Sequence, residues 1–202
     1  MITTSTVRMR QPKRTSQQLR DGREYLTAVE IETLLNTAKA SGSSDFHRCR
    51  NHTLVLLAYR HGLRVSEAVA IKWAAIDMAS ARVWVNRLKG SISGSHPLGK
   101  DEVRCLKKLR SQIPHSQWVF TTSSGVPINE ASARKCVERL GVKAKLSIPI
   151  HFHMMRHSCG YALANAGKDT RLIQDWLGHK DIKNTAKYTQ LAPNRFEGLW
   201  DD

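Results

Sequence analysis

Residues 151–190 read HFHMMRHSCGYALANAGKDTRLIQDWLGHKDIKNTAKYTQ, and this stretch decides both the fold and the function. It combines four histidines with an arginine three residues after His153 and a tyrosine, Tyr188, in a polar segment. Apolar residues at helical spacing predict three short helices, over about 153–166, 170–177 and 181–189. Three kinds of site use such residues: a metal site, a helix-turn-helix that binds DNA, and a nucleophilic site built around a phosphate.

The histidine spacing bears on the metal site. His153 and His157 are four residues apart, so a helix places them on one face, as in the zinc proteases. Those enzymes need a glutamate directly after the first histidine, and Met154 stands there instead. His151 is a candidate third ligand, but no carboxylate or thiolate follows at ligand spacing. We therefore expect no bound metal.

His153 and Arg156 favour an anion site. They are three residues apart, on one face near the start of a predicted helix. A guanidinium group can hold two phosphate oxygens, and the helix N-terminus adds positive potential. The competing interpretation is a surface arginine in an ordinary salt bridge. Residues 171–190, with Gly178 in a turn, are also typical of a helix-turn-helix, so a non-catalytic DNA-binding regulator is the alternative function.

Composition points to a polyanionic partner. The chain has 202 residues, 41% of them hydrophobic, which is enough for one domain with its own core. Lys and Arg number 32 against 17 Asp and Glu, and the resulting net charge of +15 favours nucleic acid. No apolar segment is long enough to span a bilayer, so we expect no membrane partner. The four widely spaced cysteines favour reduced thiols in a cytoplasmic protein.

The remaining elements predict a mostly α fold. Thr27 and Glu30 form a capping box, which starts a helix that ends at Ser41-Gly42. At residues 82–88, RVWVNRL, the spacing of apolar residues changes from helical to alternating, which predicts a strand. A Gly/Ser-rich turn then leads into a second extended segment. Other predicted elements are helices over about 47–60, 65–73, 100–111 and 129–146, and a short strand over 118–120. The fold class is therefore mostly α with a small antiparallel β-sheet, an α+β fold.

The first 24 residues differ from the rest. They are rich in Arg, Ser and Thr and lack the apolar region of a secretory signal. Three interpretations stay open: a solvated tail, a flexible basic arm that contacts phosphates, and a mitochondrial targeting segment. We divide the chain into a basic arm at 1–24 and a folded domain at 25–202.

Four motifs carry a resemblance to a known family. They are YRHGLRVSE (59–67), HFHMMRHS (151–158), LGHK (177–180) and KYT (187–189). In this order and spacing they resemble the catalytic domain of the tyrosine recombinases, the phage integrase family, over nearly all of residues 25–190. The resemblance implies the tyrosine recombinase catalytic-domain fold for 25–202, with a C-terminal docking helix. The family's catalytic positions fall on Arg64, Lys89, His153, Arg156, His179 and Tyr188.

The resemblance also implies a reaction. Tyr188 would attack a backbone phosphate and form a 3′-phosphotyrosine, which stores the bond without ATP, metal or another cofactor. Arg64 and Arg156 would neutralise the charge that develops on the phosphate oxygens, and His179 would donate a further hydrogen bond.

Proton transfer would fall to two further residues. Lys89, in the turn of the predicted hairpin, would protonate the leaving 5′-oxygen, and His153 would assist proton transfer near the tyrosine. Glu67 and His157 would hold the neighbouring arginine and helix in place.

Partners follow from the same resemblance. The chain is similar to the short recombinases that invert fimbrial promoter switches, which implies double-stranded DNA with inverted-repeat sites and a homo-tetramer on that DNA. Integration or excision of mobile DNA is the related activity, accessory DNA-bending proteins are a candidate partner class, and the expected location is the bacterial cytoplasm at the nucleoid. Phe196, Leu199 and Trp200 form an apolar stripe that we expect to dock on a neighbouring subunit.

Overall fold

Helices make up most of the chain. The computed structural model describes residues 22–88 and 90–190, so most of the arm, Lys89 and the 191–202 tail lie outside the described residues. The helices are α1 (Ala28–Ala40), α2 (Asp45–Arg60), α3 (Val65–Val69), α4 (Lys100–Gln112), α5 (Glu130–Lys143), α6 (His153–Asn165), α7 (Thr170–Leu177) and α8 (Lys183–Gln190). The strands are β1 (Ile76–Asp77), β2 (Arg82–Val85) and β3 (Gly94–Pro97). The predicted fold class is confirmed.

Side chains fix where several helices begin. The Thr27 hydroxyl accepts the amide of Glu30 at 3.3 Å, and the Glu30 carboxylate accepts the amide of Thr27 at 2.8 Å, which confirms the capping box of α1. The Asn129 side chain accepts the amide of Ser132 at 2.8 Å and starts α5 as predicted. Such caps satisfy amides that have no partner inside the helix.

The sheet is antiparallel in the order β1-β2-β3. Val83 pairs with His96, and along β2 Val83 and Val85 face the core while Trp84 is 52% exposed. The predicted strand over 82–88 thus ends at Val85, and β1 was not predicted. The strand predicted over 118–120 is wrong: this segment forms only an isolated bridge between Trp118 and Lys72, because its backbone bonds to two different segments, at Ile71 and at Ile128.

Helix α6 joins two apolar clusters. Its first turn, with Met154 and Met155, belongs to the main core, which the other long helices and the sheet surround. Further along, Cys159 and Ala164 belong to a smaller cluster with residues of α7 and with Tyr188 of α8. Helix α6 therefore positions the C-terminal helices against the body of the domain.

The predicted helices of residues 153–190 are confirmed within a residue or two at their ends. Helix α5 ends at Lys143 rather than near 146, because Ala144 closes it and Lys145 takes a positive φ of 52°. Within the described residues, no helix has the length and apolar character that crossing a membrane requires.

Candidate active site

Arg156 joins three motifs that are distant in the sequence. Its guanidinium group donates to the Gly62 carbonyl and to the Leu177 carbonyl, both at 2.6 Å. The residue is only 2% exposed. Burial, with a smaller contribution from the charges of Arg87 and Arg64, lowers the pKa of Arg156 to about 10. The group still carries its positive charge at neutral pH, and it lies where the G-L-R, H-x-x-R and L-G-H motifs meet.

Arg64 stands at the start of α3 and is held by Glu67. One Glu67 oxygen accepts the Arg64 amide at 2.9 Å, and the other accepts the Arg64 guanidinium at 2.6 Å. The Glu67 side chain is 1% exposed, whereas that of Arg64 is 29% exposed. Burial acts to raise the pKa of Glu67, but the charge of Arg87 and the hydrogen bonds outweigh it and lower that pKa. Glu67 therefore fixes the orientation of the Arg64 guanidinium, which remains accessible to a ligand.

Arg87 is a buried residue that the motifs did not reveal. It is 5% exposed and donates at 2.8 Å to the Glu67 oxygen that also accepts the Arg64 amide. It also donates to the carbonyls of Gly62, His61 and Trp176 at 3.1, 2.7 and 2.7 Å. A signal was present in the sequence: alternation along RVWVNRL places residue 87 on the same side as the buried Val83 and Val85.

The β2–β3 turn, which contains Lys89, packs against the loop before His179. The amide of Ile92 donates to the Gly178 carbonyl at 3.2 Å, and a Cβ on Gly90 would come within 2.6 Å of the Lys180 ammonium nitrogen. Gly178 itself has a φ of +69° and ends α7 in the left-handed conformation that glycine adopts most easily. The side chain of Lys89 lies outside the described residues, so its predicted position stays a prediction.

His179 lies beside the tyrosine. Its ring is close to parallel with that of Tyr188, with 6.4 Å between centroids, and its Nδ1 is 2.8 Å from the Thr185 hydroxyl. Burial lowers the pKa of His179 to about 4, and the charges of Arg156 and Arg64 add to the effect. A neutral imidazole that accepts a hydrogen bond from the Thr185 hydroxyl at Nδ1 keeps its Nε2–H free to donate to another group.

Tyr188 is buried, and its hydroxyl meets His157. The residue is 1% exposed, and its oxygen is 2.9 Å from Nδ1 of His157. Burial raises the pKa of Tyr188 to about 12. His153, the residue expected to assist the tyrosine, contacts the His157 ring edge to face at 4.7 Å between centroids. The phenol thus has its hydrogen bond with His157, to which the sequence assigned only a supporting role.

Among residues 22–88 and 90–190, no three His, Cys, Asp or Glu side chains are arranged to hold a metal ion. The charges of Arg64 and Arg156 instead act on both His153 and His179, and the ring of Tyr188 lies beside that of His179. Such a set is suited to a phosphate group.

A mostly helical domain that brings these groups around one tyrosine is the catalytic domain of a site-specific recombinase of the tyrosine class. The sequence pattern of the phage integrase family matches residues 24–195, and the chain belongs to that family. The resemblance expected from the motifs is confirmed.

Individual relatives agree with this class. The type 1 fimbriae regulatory protein FimB of Escherichia coli strain K12 is 43% identical over 184 residues, which cover 89% of this chain and 90% of FimB. The type 1 fimbriae regulatory protein FimE of the same strain is 35% identical over 187 residues, which cover 89% of this chain and 91% of FimE. A crystal structure of the XerH site-specific recombinase, a post-cleavage complex on a palindromic difH substrate, matches with a TM-score of 0.73 at 25% identity. The match covers 87% of this chain and 52% of the XerH chain.

Proposed function

We propose that this recombinase cuts and rejoins DNA through a 3′-phosphotyrosine on Tyr188. The observation that carries the proposal is the convergence of Tyr188, Arg156 and His179: the rings of Tyr188 and His179 lie 6.4 Å apart, and the charge of Arg156 acts on both residues. The phenol oxygen attacks phosphorus and displaces the 5′-oxygen of the next nucleotide. The 5′-hydroxyl of a second strand reverses the reaction, so one phosphodiester replaces another and no ATP is consumed.

The phosphate is held by Arg64, Arg156 and His179. Attack on phosphorus builds negative charge on the non-bridging oxygens, and donors fixed in advance stabilise that charge. Arg64 is fixed by Glu67, and Arg156 is fixed by two backbone carbonyls. Loss of one such donor costs on the order of 10²–10³ in rate.

Lys89 protonates the leaving 5′-oxygen in this proposal. The support is the anchoring of its turn: Arg87 is bound to Glu67 on one side, and Ile92 is bound to Gly178 on the other. The position of the turn is therefore coupled to that of the residues that hold Arg64 and His179. His153, exposed on the first turn of α6, remains a candidate for proton transfer or for a phosphate contact.

The substrate we propose is double-stranded DNA with inverted-repeat sites, bound by four copies of the chain. The net charge of +15 suits the DNA backbone. Similarity to FimB and FimE favours inversion of a promoter element, which would regulate transcription and produce phase variation, over integration or excision of mobile DNA. DNA-bending proteins would assist by bringing two sites together, and the reaction would take place in the bacterial cytoplasm at the nucleoid.

The alternative is a DNA-binding regulator that uses α7, Gly178 and α8 as a helix-turn-helix. A recognition helix presents its side chains to the groove. Helix α8 instead buries Thr185 and Tyr188 against α6 and α7, and Tyr188 is 1% exposed. This burial disfavours the alternative.

A nicked suicide substrate tests the proposal. DNA sites are first selected from genomic fragments by binding, then nicked so that the cleaved end diffuses away. Wild-type protein should form a covalent adduct that persists in excess EDTA, because guanidinium groups take the place of a metal ion. Tyr188→Phe should bind equally and form no adduct, while the matched variant Tyr59→Phe should behave as wild type. Tight binding without any wild-type adduct would support the regulator instead.

A further inference from the structure

The hydrogen bond between His157 and Tyr188 assigns a catalytic role to a residue outside the six predicted ones. We infer that His157, and not His153, accepts the Tyr188 proton as the phenol attacks phosphorus, with Glu24 as the counter-charge of the imidazolium that forms. This inference rests on the proposed function of Tyr188. Its starting observation is the distance of 2.9 Å between His157 Nδ1 and the phenol oxygen.

The two ring nitrogens of His157 face different groups. Nδ1 faces the phenol, while Nε2 lies 4.0 Å from a Glu24 oxygen. A neutral imidazole has one N–H and one lone pair, so a proton on Nε2 leaves Nδ1 free to accept. In this proposal the carboxylate, at 4.0 Å and with its side chain 55% exposed, acts through its charge rather than a direct hydrogen bond, and favours the Nε2–H tautomer and the cation that forms during the reaction. A nucleophile, a base and an orienting carboxylate are the usual parts of an activated hydroxyl.

The fold fixes the segment that carries Glu24. The amide of Leu26 donates to the Ser158 hydroxyl at 2.8 Å, and the rings of Tyr25 and Tyr161 lie 3.9 Å apart. Both partners belong to α6, the helix of His157. The position of the carboxylate beside the imidazole is therefore supported by the contacts of the two residues that follow Glu24 in the chain.

The free protein holds both groups neutral. Burial lowers the pKa of His157 to about 3, helped by the charges of His153 and Lys187, and burial raises the pKa of Tyr188 to about 12. The proton therefore stays on the phenol until a phosphodiester is present. The bound phosphate brings a negative charge that stabilises the imidazolium, so transfer accompanies formation of the O–P bond.

Protons and bonds balance over one cycle. As Tyr188 Oη bonds to phosphorus, its proton passes to His157 Nδ1, and the 5′-oxygen leaves with a proton from Lys89. In the rejoining step the incoming 5′-hydroxyl loses its proton to Lys89 and bonds to phosphorus. Tyr188 leaves and recovers its proton from His157. No oxidant, metal or nucleotide enters the cycle.

The variant His157→Asn separates proton acceptance from hydrogen bonding. Asparagine places an oxygen near the position of Nδ1, so it can accept a hydrogen bond from the phenol but cannot take up its proton at neutral pH. The probe is the nicked site with sulfur in place of the bridging 5′-oxygen, since a thiolate leaves without a proton donor. Cleavage by Lys89→Ala should be restored on this substrate, while His157→Asn should remain slower than wild type by roughly 10²–10⁴. His115→Asn, at an exposed site beyond α4, is the matched control.

The pH profile supplies a second readout. The groups that face His157 are Glu24 from the N-terminal segment, Lys187 and Tyr188 from α8, and His151, His153, Arg156 and Tyr161 from α6 and the turn before it. Without a base, attack depends on ionised phenol, so cleavage by the variant should rise about tenfold per pH unit below the tyrosine pKa. The defect of His157→Asn should therefore narrow as pH rises, and that of His153→Asn should not.

Two results would overturn this assignment. One is a His157→Asn rate equal to wild type on the sulfur substrate, and the other is a defect that stays constant with pH, which would mean that His157 only positions the phenol. A pH-dependent defect in His153→Asn alone would transfer the role to that residue. Failure of the proposed function is a separate outcome, because wild-type protein would then form no adduct on either substrate.

Discussion

Arg87 and Glu67 form a buried ion pair, with 2.8 Å between the guanidinium and carboxylate and each side chain 1% exposed. The second Glu67 oxygen holds Arg64, so the orientation of the accessible arginine depends on the buried one. The pair also links the β2–β3 turn to α3. We infer that its main effect is to keep the phosphate-binding group and the turn of Lys89 in one arrangement.

Removal of Arg87 should destabilise the fold and slow cleavage. Arg87→Met leaves a buried carboxylate with Arg64 as its one remaining charged partner, and breaking buried pairs costs about 3–5 kcal/mol. Urea unfolding should show a loss of that order, and the double variant Arg87→Met/Glu67→Met should lose less than the sum of the single variants. Arg82→Met, on the exposed side of β2, should stay within about 0.5 kcal/mol of wild type. Additive losses would contradict a coupled pair.

Gly160 sets the position of the tyrosine ring. A Cβ at this residue would lie 2.7–2.8 Å from three ring carbons of Tyr188. Gly160→Ala should therefore displace the phenol and reduce cleavage by at least an order of magnitude, since small misplacement of reacting groups costs about 10²-fold. DNA binding should change little. The matched variant Gly94→Ala, whose Cβ would meet no atom within 4 Å, should cleave normally. Equal cleavage by the two variants would show that the Tyr188 ring can shift to make room for the added methyl group.

The sequence predicted some parts of this site better than others. The resemblance carried by the four motifs named Arg64, Arg156, His179 and Tyr188 as site residues. The structure brings these residues near one another, and their catalytic roles stay predictions. Arg87 could have been found from strand alternation. The sequence could not decide between His153 and His157 as the partner of the phenol. Both lie on one helical face, and only the packing of α8 determines which ring meets the phenol. The failed strand over 118–120 has a similar reason: its apolar residues are buried, but pairing depends on distant segments.

His96 makes stability depend on pH. Burial lowers its pKa from 6.5 to about 3, and the neighbouring His61 adds to the effect. The unfolded chain therefore takes up a proton between these values that the folded chain does not. Stability from this group is complete above pH 6.5 and is lost towards pH 3, at about 1.4 kcal/mol per pH unit. Urea unfolding from pH 7 to 4 should show a shallower slope for His96→Asn, whereas exposed His115→Asn should match wild type.

The basic arm should contribute to the salt dependence of DNA binding. Deletion of residues 2–21 removes Arg8, Arg10, Lys13, Arg14 and Arg20, and keeps the segment from Gly22 that packs on α6. Each lost phosphate contact reduces the slope of log K against log salt by about 0.9. Binding titrations over a range of salt should show weaker affinity and a shallower slope. An unchanged slope would identify the arm as a passive tail or a targeting segment, and a variant with these five residues changed to Ser controls for length.

The last prediction concerns residues 191–202, which lie outside the described residues. Helix α8 ends at Gln190, two residues beyond Tyr188, so whatever holds the tail also acts on the nucleophile. Phe196 and Trp200 share one face of a helix that Pro193 can start. We expect this face to dock on a neighbouring subunit, because docking in trans would couple cleavage to assembly and prevent a single subunit from nicking DNA.

Phe196→Ala with Trp200→Ala tests this coupling. The double variant should stay folded and bind a half-site, but it should neither assemble four copies on paired sites nor exchange strands. Size-exclusion chromatography with DNA and a recombination assay measure the two outcomes, and Asp201→Ala with Asp202→Ala controls for change at the terminus. A lower melting temperature for the double variant's monomer than for wild type would mean that the tail folds back on its own domain. Normal assembly and recombination would exclude docking in trans, and the nucleophile would then be held by the contacts of α8 within its own domain, including the hydrogen bond between Tyr188 and His157.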